Sequence, residues 1–169
     1  MRQRQNLRRL PISKEHTMNE WILVDCMPMV SDIAELPRHT VESETQLRQL
    51  LEDCRHRSPA SVLELLSPTG DVLHMGIGME YSGIRWIGKP LNSGKKQLKM
   101  AVADKQYSNT GAEFRCQGSE SGFRAQYVIP VEKTIDAAIH YFKTGQLPDS
   151  LQWVEWDHDK HRLEDKGSL

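Results

Sequence analysis

Seven histidines and three cysteines are the side chains of this 169-residue chain with the widest chemical reach. His158 and His161 are spaced H-x-x-H, but they lie in a charged C-terminal stretch. Metal binding needs converging ligands held by surrounding groups, and two candidate ligands in a frayed tail do not supply them. His74 and Cys116 are the candidate base and nucleophile of a cryptic active site, which would need hydrogen-bond reach and an orienting third group. Strand alternation instead places Cys116 beside Ala112 and Phe114 in the core, as a structural thiol. Cys26, Cys54 and Cys116 are odd in number and match no metal motif. They read as reduced, buried thiols of a reducing cytoplasm, with a disulfide framework or a zinc site as the alternative.

The phosphate-binding patterns are equally thin. Gly76-Ile77-Gly78 lacks the third glycine and the following helix of a dinucleotide site, and Gly88-Lys89 is not a P-loop. Lys95, Lys96 and Lys99 form a small basic cluster that reads as a solvated loop. No catalytic constellation remains, and no metal or cofactor is expected.

The elements that must position these residues follow from periodicity. Trp21–Cys26 reads as a first strand, and 27–42 as irregular around Pro28 and Pro37. A helix is predicted over 44–56, opened by a Ser43/Gln46 capping box. Leu47, Leu50, Leu51 and Cys54 form its apolar stripe, with a Glu44–Arg48 pair on its outer side. Strands are predicted over 61–67 and 72–79, the second with Leu73, Met75, Ile77 and Met79 on one face. Gly76 and Gly78 share the other face, where another element must approach closely.

Glu80–Gly83 reads as a turn, 84–88 as a strand, and Pro90–Lys96 as a polar loop. Alternating segments follow at Leu98–Val102, Ala112–Cys116 and Phe123–Ile129, with a Ser/Gly-rich loop over 117–122. Pro130 opens a second helix whose stripe is Val131, Ile135, Ala138, Ile139 and Phe142, closed by Gly145 and Pro148. Leu151–Trp156 is a last strand. The expected fold is α+β: an antiparallel meander with two main helices packed on one face.

Hydrophobic residues make up 38% and charged residues 27% of the chain, which excludes a disordered chain. No apolar run approaches the roughly 20 residues of a membrane span. Residues 1–17 hold five basic residues and one acid, leaving 17 basic and 22 acidic groups elsewhere. The expected organisation is therefore a disordered basic extension over 1–17, a single domain over 18–157 and a charged flexible tail over 158–169. The strand-like run directly after Met18 raises the alternative of a mis-assigned start. An acidic domain suits a basic partner.

The run from Tyr127 to Trp156, YVIPVEKTIDAAIHYFKTGQLPDSLQWVEW, resembles immunity protein family one. Its marks are Ile-Pro opening a helix with paired alanines, then Phe-x-Thr-Gly-x-x-Pro, then a strand ending in Trp and acids. Met75–Met79 followed by a Gly turn and an aromatic strand at Trp86 is similar to the family's central hairpin. The likeness spans about residues 45–157. It departs from the pattern in its longer N-terminus, its Lys-rich 95–99 loop and Val154 between Trp153 and Glu155.

The family accompanies bacterial polymorphic toxins, often nucleic-acid deaminases. The resemblance implies a cytoplasmic, non-catalytic protein that binds the toxic domain of a cognate effector and blocks its active site. Membrane and direct nucleic-acid binding are not expected, and the implied partner is basic. Outward acids and edge aromatics are the expected contacts: Glu80, Tyr81, Glu113, Glu120, Glu155, Trp156 and Asp157. Trp153 and Trp156 cannot both face one core, so one is expected to be partly exposed. The alternative function is a non-catalytic adaptor or regulatory binding module.

Overall fold

The computed structural model describes residues 20–89 and 91–156. The expected extension over 1–17, the tail over 158–169 and Asp157 lie outside the described residues. The fold is α+β, with an antiparallel sheet and two main helices on one face.

The strands are β1 (Trp21–Asp25), β2 (Arg38–Val41), β3 (Ser61–Leu66), β4 (Val72–Ile77), β5 (Tyr81–Ile87), β6 (Leu98–Val102), β7 (Ala112–Cys116), β8 (Ser119–Phe123), β9 (Ile129–Pro130) and β10 (Gln152–Glu155). The helices are α1 (Glu44–Arg55) and α2 (Val131–Thr144). The main sheet runs β2-β1-β3-β4-β5-β6-β10, antiparallel at each step. Both β2 and β3 oppose β1, so they run parallel, and α1 crosses over β1 to join them.

The meander is interrupted once. β6 pairs with Arg85–Ile87 of β5, while β9 pairs with Tyr81 and Ser82 on the same side of that strand. β6 and β9 are thus two pieces of one row. The chain between them leaves this row, forms the β7–β8 hairpin, whose β7 meets β3 in parallel at Arg115 and Ser61, and returns. The amide of Ala103 donating to the carbonyl of Gln126 at 2.9 Å closes the base of this excursion.

That hairpin makes the sheet two-sided. Neighbouring residues on a strand point to opposite faces, and Leu23/Val24, Leu63/Val62 and Ala101/Met100 split between two separate cores. One core holds Leu47, Leu51 and Cys54 of α1 with Val131, Ile135 and Ala138 of α2. The other places Phe114, Phe123, Tyr127 and Leu36 against Val24, Val62 and Met100. The molecule is a helix layer, a sheet and a hairpin layer. Gly76 and Gly83 are cross-strand partners, and a Cβ at either would overlap the ring of Phe114 or Phe123 respectively. The close approach expected at Gly76 is this pair of rings, packed edge to face at 5.9 Å.

Several expectations are corrected. Segment 27–42 is not wholly irregular: it contains β2 and a 3-10 turn at Ile33–Glu35. Tyr81–Gly83 belong to β5, since Gly78 N–H donates to Tyr81 O and closes the turn earlier. Met79 lies beyond the end of β4 and is 62% exposed, so it does not extend the strand face of Leu73, Met75 and Ile77. Residues 119–122 form β8 rather than a loop, because Gln117 and Gly118 both take positive φ and turn the chain in two residues. Phe123–Ile129 is not one strand; Ala125–Tyr127 is a 3-10 turn.

The helix ends follow local chemistry. Ser43 Oγ accepts from Gln46 N–H at 3.2 Å, while Gln46 Oε1 accepts from Glu42 N–H at 2.8 Å, one residue before the capping-box position. Ser43→Ala is expected to cost about 1 kcal/mol in urea unfolding; an unchanged midpoint would show the cap idle. Gly145 closes α2 at φ 69°. Glu44 and Arg48 do not pair with each other. They reach across to Lys143 and Asp136 of α2 at 3.0 and 3.1 Å, joined by Arg55–Glu132 at 2.7 Å.

Candidate functional site

His74, the candidate base, sits in a cross-strand row with Glu64 of β3 and Arg85 of β5. Its Nδ1 is 3.0 Å from Glu64 Oε1, and Arg85 Nη2 is 2.7 Å from its Nε2. Guanidinium nitrogens only donate, so Nε2 accepts, Nδ1 carries the proton, and the ring is neutral. Both nitrogens are occupied, which leaves no lone pair for Cys116. His74 is buried beneath the β7–β8 hairpin, and the Arg85 guanidinium lies 5.6 Å from the Phe123 ring centre. This is a buried polar row rather than a nucleophile–base pair.

Burial pushes the His74 pKa below its ordinary 6.5, against the Glu64 hydrogen bond and with the Arg85 charge. Burial pushes Glu64 upward, but its hydrogen bond to His74 and the charges of His74 and Arg85 outweigh it, so it ends lower than 4.5. Groups whose folded pKa is depressed bind protons more readily when unfolded, so stability falls as pH falls. The chain is expected to lose stability from pH 6.5 downward as His74 titrates, and again below 4.5 through Glu64. His74→Gln should flatten the upper part of a Tm-against-pH curve; an unaltered slope there would remove His74 as its source.

All three cysteines are free thiols. Cys54 is buried against Ser61 Oγ at 3.2 Å. Cys116 is only half-buried, where the core was expected. The interaction between the neighbouring Cys26 and Cys116 thiols pushes Cys26 up, with burial adding to the rise, and pushes Cys116 down. Among the described residues, no three His, Cys, Asp or Glu side chains are placed to hold a metal. No helix there is long and apolar enough to cross a membrane. Lys99 leaves the expected basic cluster: it lies in β6 with its Nζ 5.7 Å from the Trp86 ring centre, while Lys95 and Lys96 stay in the exposed loop.

The expected contact residues fall in three places. Glu80 and the 40%-exposed Tyr81 stand at the β4–β5 turn beside Met79, whose carbonyl accepts from Arg55 Nε at 2.8 Å. Glu113 and Glu120 are exposed on the hairpin, where Glu120 is paired with Arg115 at 3.4 Å. Glu155 is exposed on β10, opposite Lys99, in the row of Trp86. That row is about 17 Å along β5 from Tyr81, at roughly 3.3 Å per residue. Trp156 is half-buried, with its ring 5.5 Å from Tyr127 on the hairpin side. Trp153 is half-buried on the helix side, so alternation sends the two tryptophans to opposite faces, and each is partly exposed.

Charge divides the surface as well. The helix layer is neutralised by its cross-helix ion pairs. Among the described residues, Glu80, Glu113 and Glu155 have no basic side chain within ion-pair distance.

One feature was not legible from the pattern. Between the C-terminal end of α2 and the β5-β6-β10 edge lies a cleft of about 400 Å³, walled by Trp86, Tyr141, Leu147 and Trp153, with Lys99 and Asp149 also lining it. Trp86 Nε1 donates to Tyr141 Oη at 3.1 Å, and Trp153 Nε1 to Pro148 O at 3.1 Å, which fix the walls. The aromatic residues were visible one by one; their convergence needs the strand order.

The fold and surface together describe a three-layer α+β domain with outward acids and an aromatic cleft at a sheet edge. Residues 37–155 match the family Immunity protein Imm1, and the chain belongs to that family. The match takes in α1, α2 and every strand except β1. Among curated proteins none matches the chain.

Proposed function

We propose that this chain is the cognate immunity protein of a bacterial toxin, and that it acts by binding the toxic domain and covering its active site or substrate path. The family match over residues 37–155 is the observation that carries the reading. The surface is compatible with it: Glu80, Glu113 and Glu155 are outward acids without a basic partner among the described residues. A toxin that acts on nucleic acid carries a basic substrate cleft, which such acids complement, and complementary charge speeds capture. Occlusion needs no group of the inhibitor to react. The neutral, doubly hydrogen-bonded His74 accords with a protein that performs no reaction of its own. The free thiols suit the reducing cytoplasm of the producing cell.

The test is co-expression of this chain with the toxic C-terminal domain encoded in the adjacent upstream reading frame. Growth should be restored by this chain and not by an unrelated immunity protein. Killing that continues at full strength in the presence of folded chain would overturn the proposal.

A further inference from the structure

The two edges of the main sheet are finished differently. At β2, the amide of Asp25 donating to Pro37 O at 2.9 Å sets the alternation, so Arg38 and Thr40 turn their main-chain groups outward. The outward carbonyl of Thr40 is taken by Gln46 Nε2 at 3.2 Å. At β10, Trp156 N–H donates to Leu98 O at 2.8 Å, so Gln152, Val154 and Trp156 face β6. Trp153 and Glu155 therefore present their N–H and C=O groups away from the sheet. Among the described residues no strand or side chain takes them. An open edge is a ready template for another strand.

The aromatic cleft adjoins this open edge on the helix side. Trp153 forms one of its walls, and Glu155 shares that face two residues on. In a strand added to β10, the residue opposite Trp153 would stand over the cleft. Lys99 and Asp149 both line it, so neither sign of charge is favoured there, and the aromatic walls suit a large apolar side chain. The residue opposite Glu155 would meet a carboxylate that has no basic partner among the described residues.

We propose that β10 is the docking edge of this protein, and that its occupant is an extended segment of the toxin domain pairing antiparallel with it. That segment carries a large apolar side chain over the cleft of Trp86, Leu147 and Trp153, and a Lys or Arg two residues before it, opposite Glu155. Main-chain bonds supply affinity and the alternate side chains supply selection. The proposal rests on the immunity reading and specifies where and how that binding occurs.

The test uses the full chain and the purified toxic domain from the adjacent reading frame. In the wild-type complex, amide exchange should slow at Trp153 and Glu155 and stay unchanged at Thr40, while in the free chain all three exchange freely. Glu155→Pro removes an outward N–H without touching the β6 ladder, a substitution that edge strands tolerate. It is expected to weaken binding by about thirty-fold, with Glu155→Gln losing less than about ten-fold. Thr40→Pro, the matching change on the other edge, should bind like wild type. A bound complex whose Trp153 and Glu155 amides still exchange freely overturns the proposal and leaves the immunity reading intact. Protection of those amides in the free chain, whether by a second copy or by this chain's own residues, overturns it as well. A toxic domain that does not bind the wild-type chain at all defeats the immunity reading itself. The exchange measurement needs no variant, so poor folding of Glu155→Pro would not blunt the test.

Discussion

Replacing Glu64 with leucine is expected to lower the unfolding free energy by about 3 kcal/mol, the low end of what leaving a buried charge uncompensated costs. The low end applies because 33% of the Glu64 side chain is exposed. The loss comes from what remains. His74 Nδ1–H loses its acceptor, and Arg85 keeps its charge beneath the Phe123 ring with no carboxylate in the row. Arg85 is already under-satisfied, since its buried Nε has no hydrogen-bond partner. Changing the whole row to Leu, Leu and Met should recover much of the loss, because well-packed apolar side chains often replace a buried charged group at no net cost. Urea midpoints of the single and triple variants decide the matter. A single variant as stable as wild type would mean that solvent screens Arg85.

The second large effect lies one row further along the same face. Phe114→Ala is expected to cost about 3–5 kcal/mol, the usual range for a deleted core aromatic. Gly76→Val should cost about 1–3 kcal/mol through overpacking, since its Cβ would overlap that same ring. The two changes should not add. Removing the ring leaves the space that valine occupies, so the double variant is expected to be more stable than the sum of the single losses predicts. Strict additivity in chemical unfolding would show that the ring does not rest on Gly76.

Most of the helix layer could be read from the sequence, because its signals are local. The stripes of α1 and α2 recur at helical spacing, and Gly145 takes the left-handed conformation that its place after α2 foretold. Even so, Thr134, Ala137 and Tyr141 are buried beside the expected stripe of α2. That helix packs on α1 as well as on the sheet, so its covered arc is wider than one stripe. The strands that escaped notice are those whose residues carry no apolar alternation. Arg-His-Thr-Val of β2 lies at an edge with three exposed residues, and β8 is mostly Ser, Glu and Gly.

The site was harder to read for a different reason. Glu64, His74 and Arg85 are about ten residues apart, and the cleft gathers residues from four elements and the loop after α2. Such groupings depend on strand register and order, which the sequence does not state locally. Gly76 signalled a close approach, yet neither Phe114 as its cause nor Gly83 as its cross-strand partner was evident before the register was known.

The interruption between β6 and β9 has a consequence for how such a protein can diversify. The chain leaves the row after Val102 and returns at Ile129, with Ala103 and Gln126 tying the neck and β7 held to the frame through Arg115 to Ala60 and Gln117 to Cys26. Closing a flexible loop twice as long costs only about 0.6 kcal/mol more. Residues in the excursion can therefore be inserted, deleted or exchanged over evolutionary time while the frame on either side keeps its register, provided the Phe114 and Phe123 anchors stay seated. The frame and its hairpin layer can drift at different rates, so one scaffold can carry many outer surfaces.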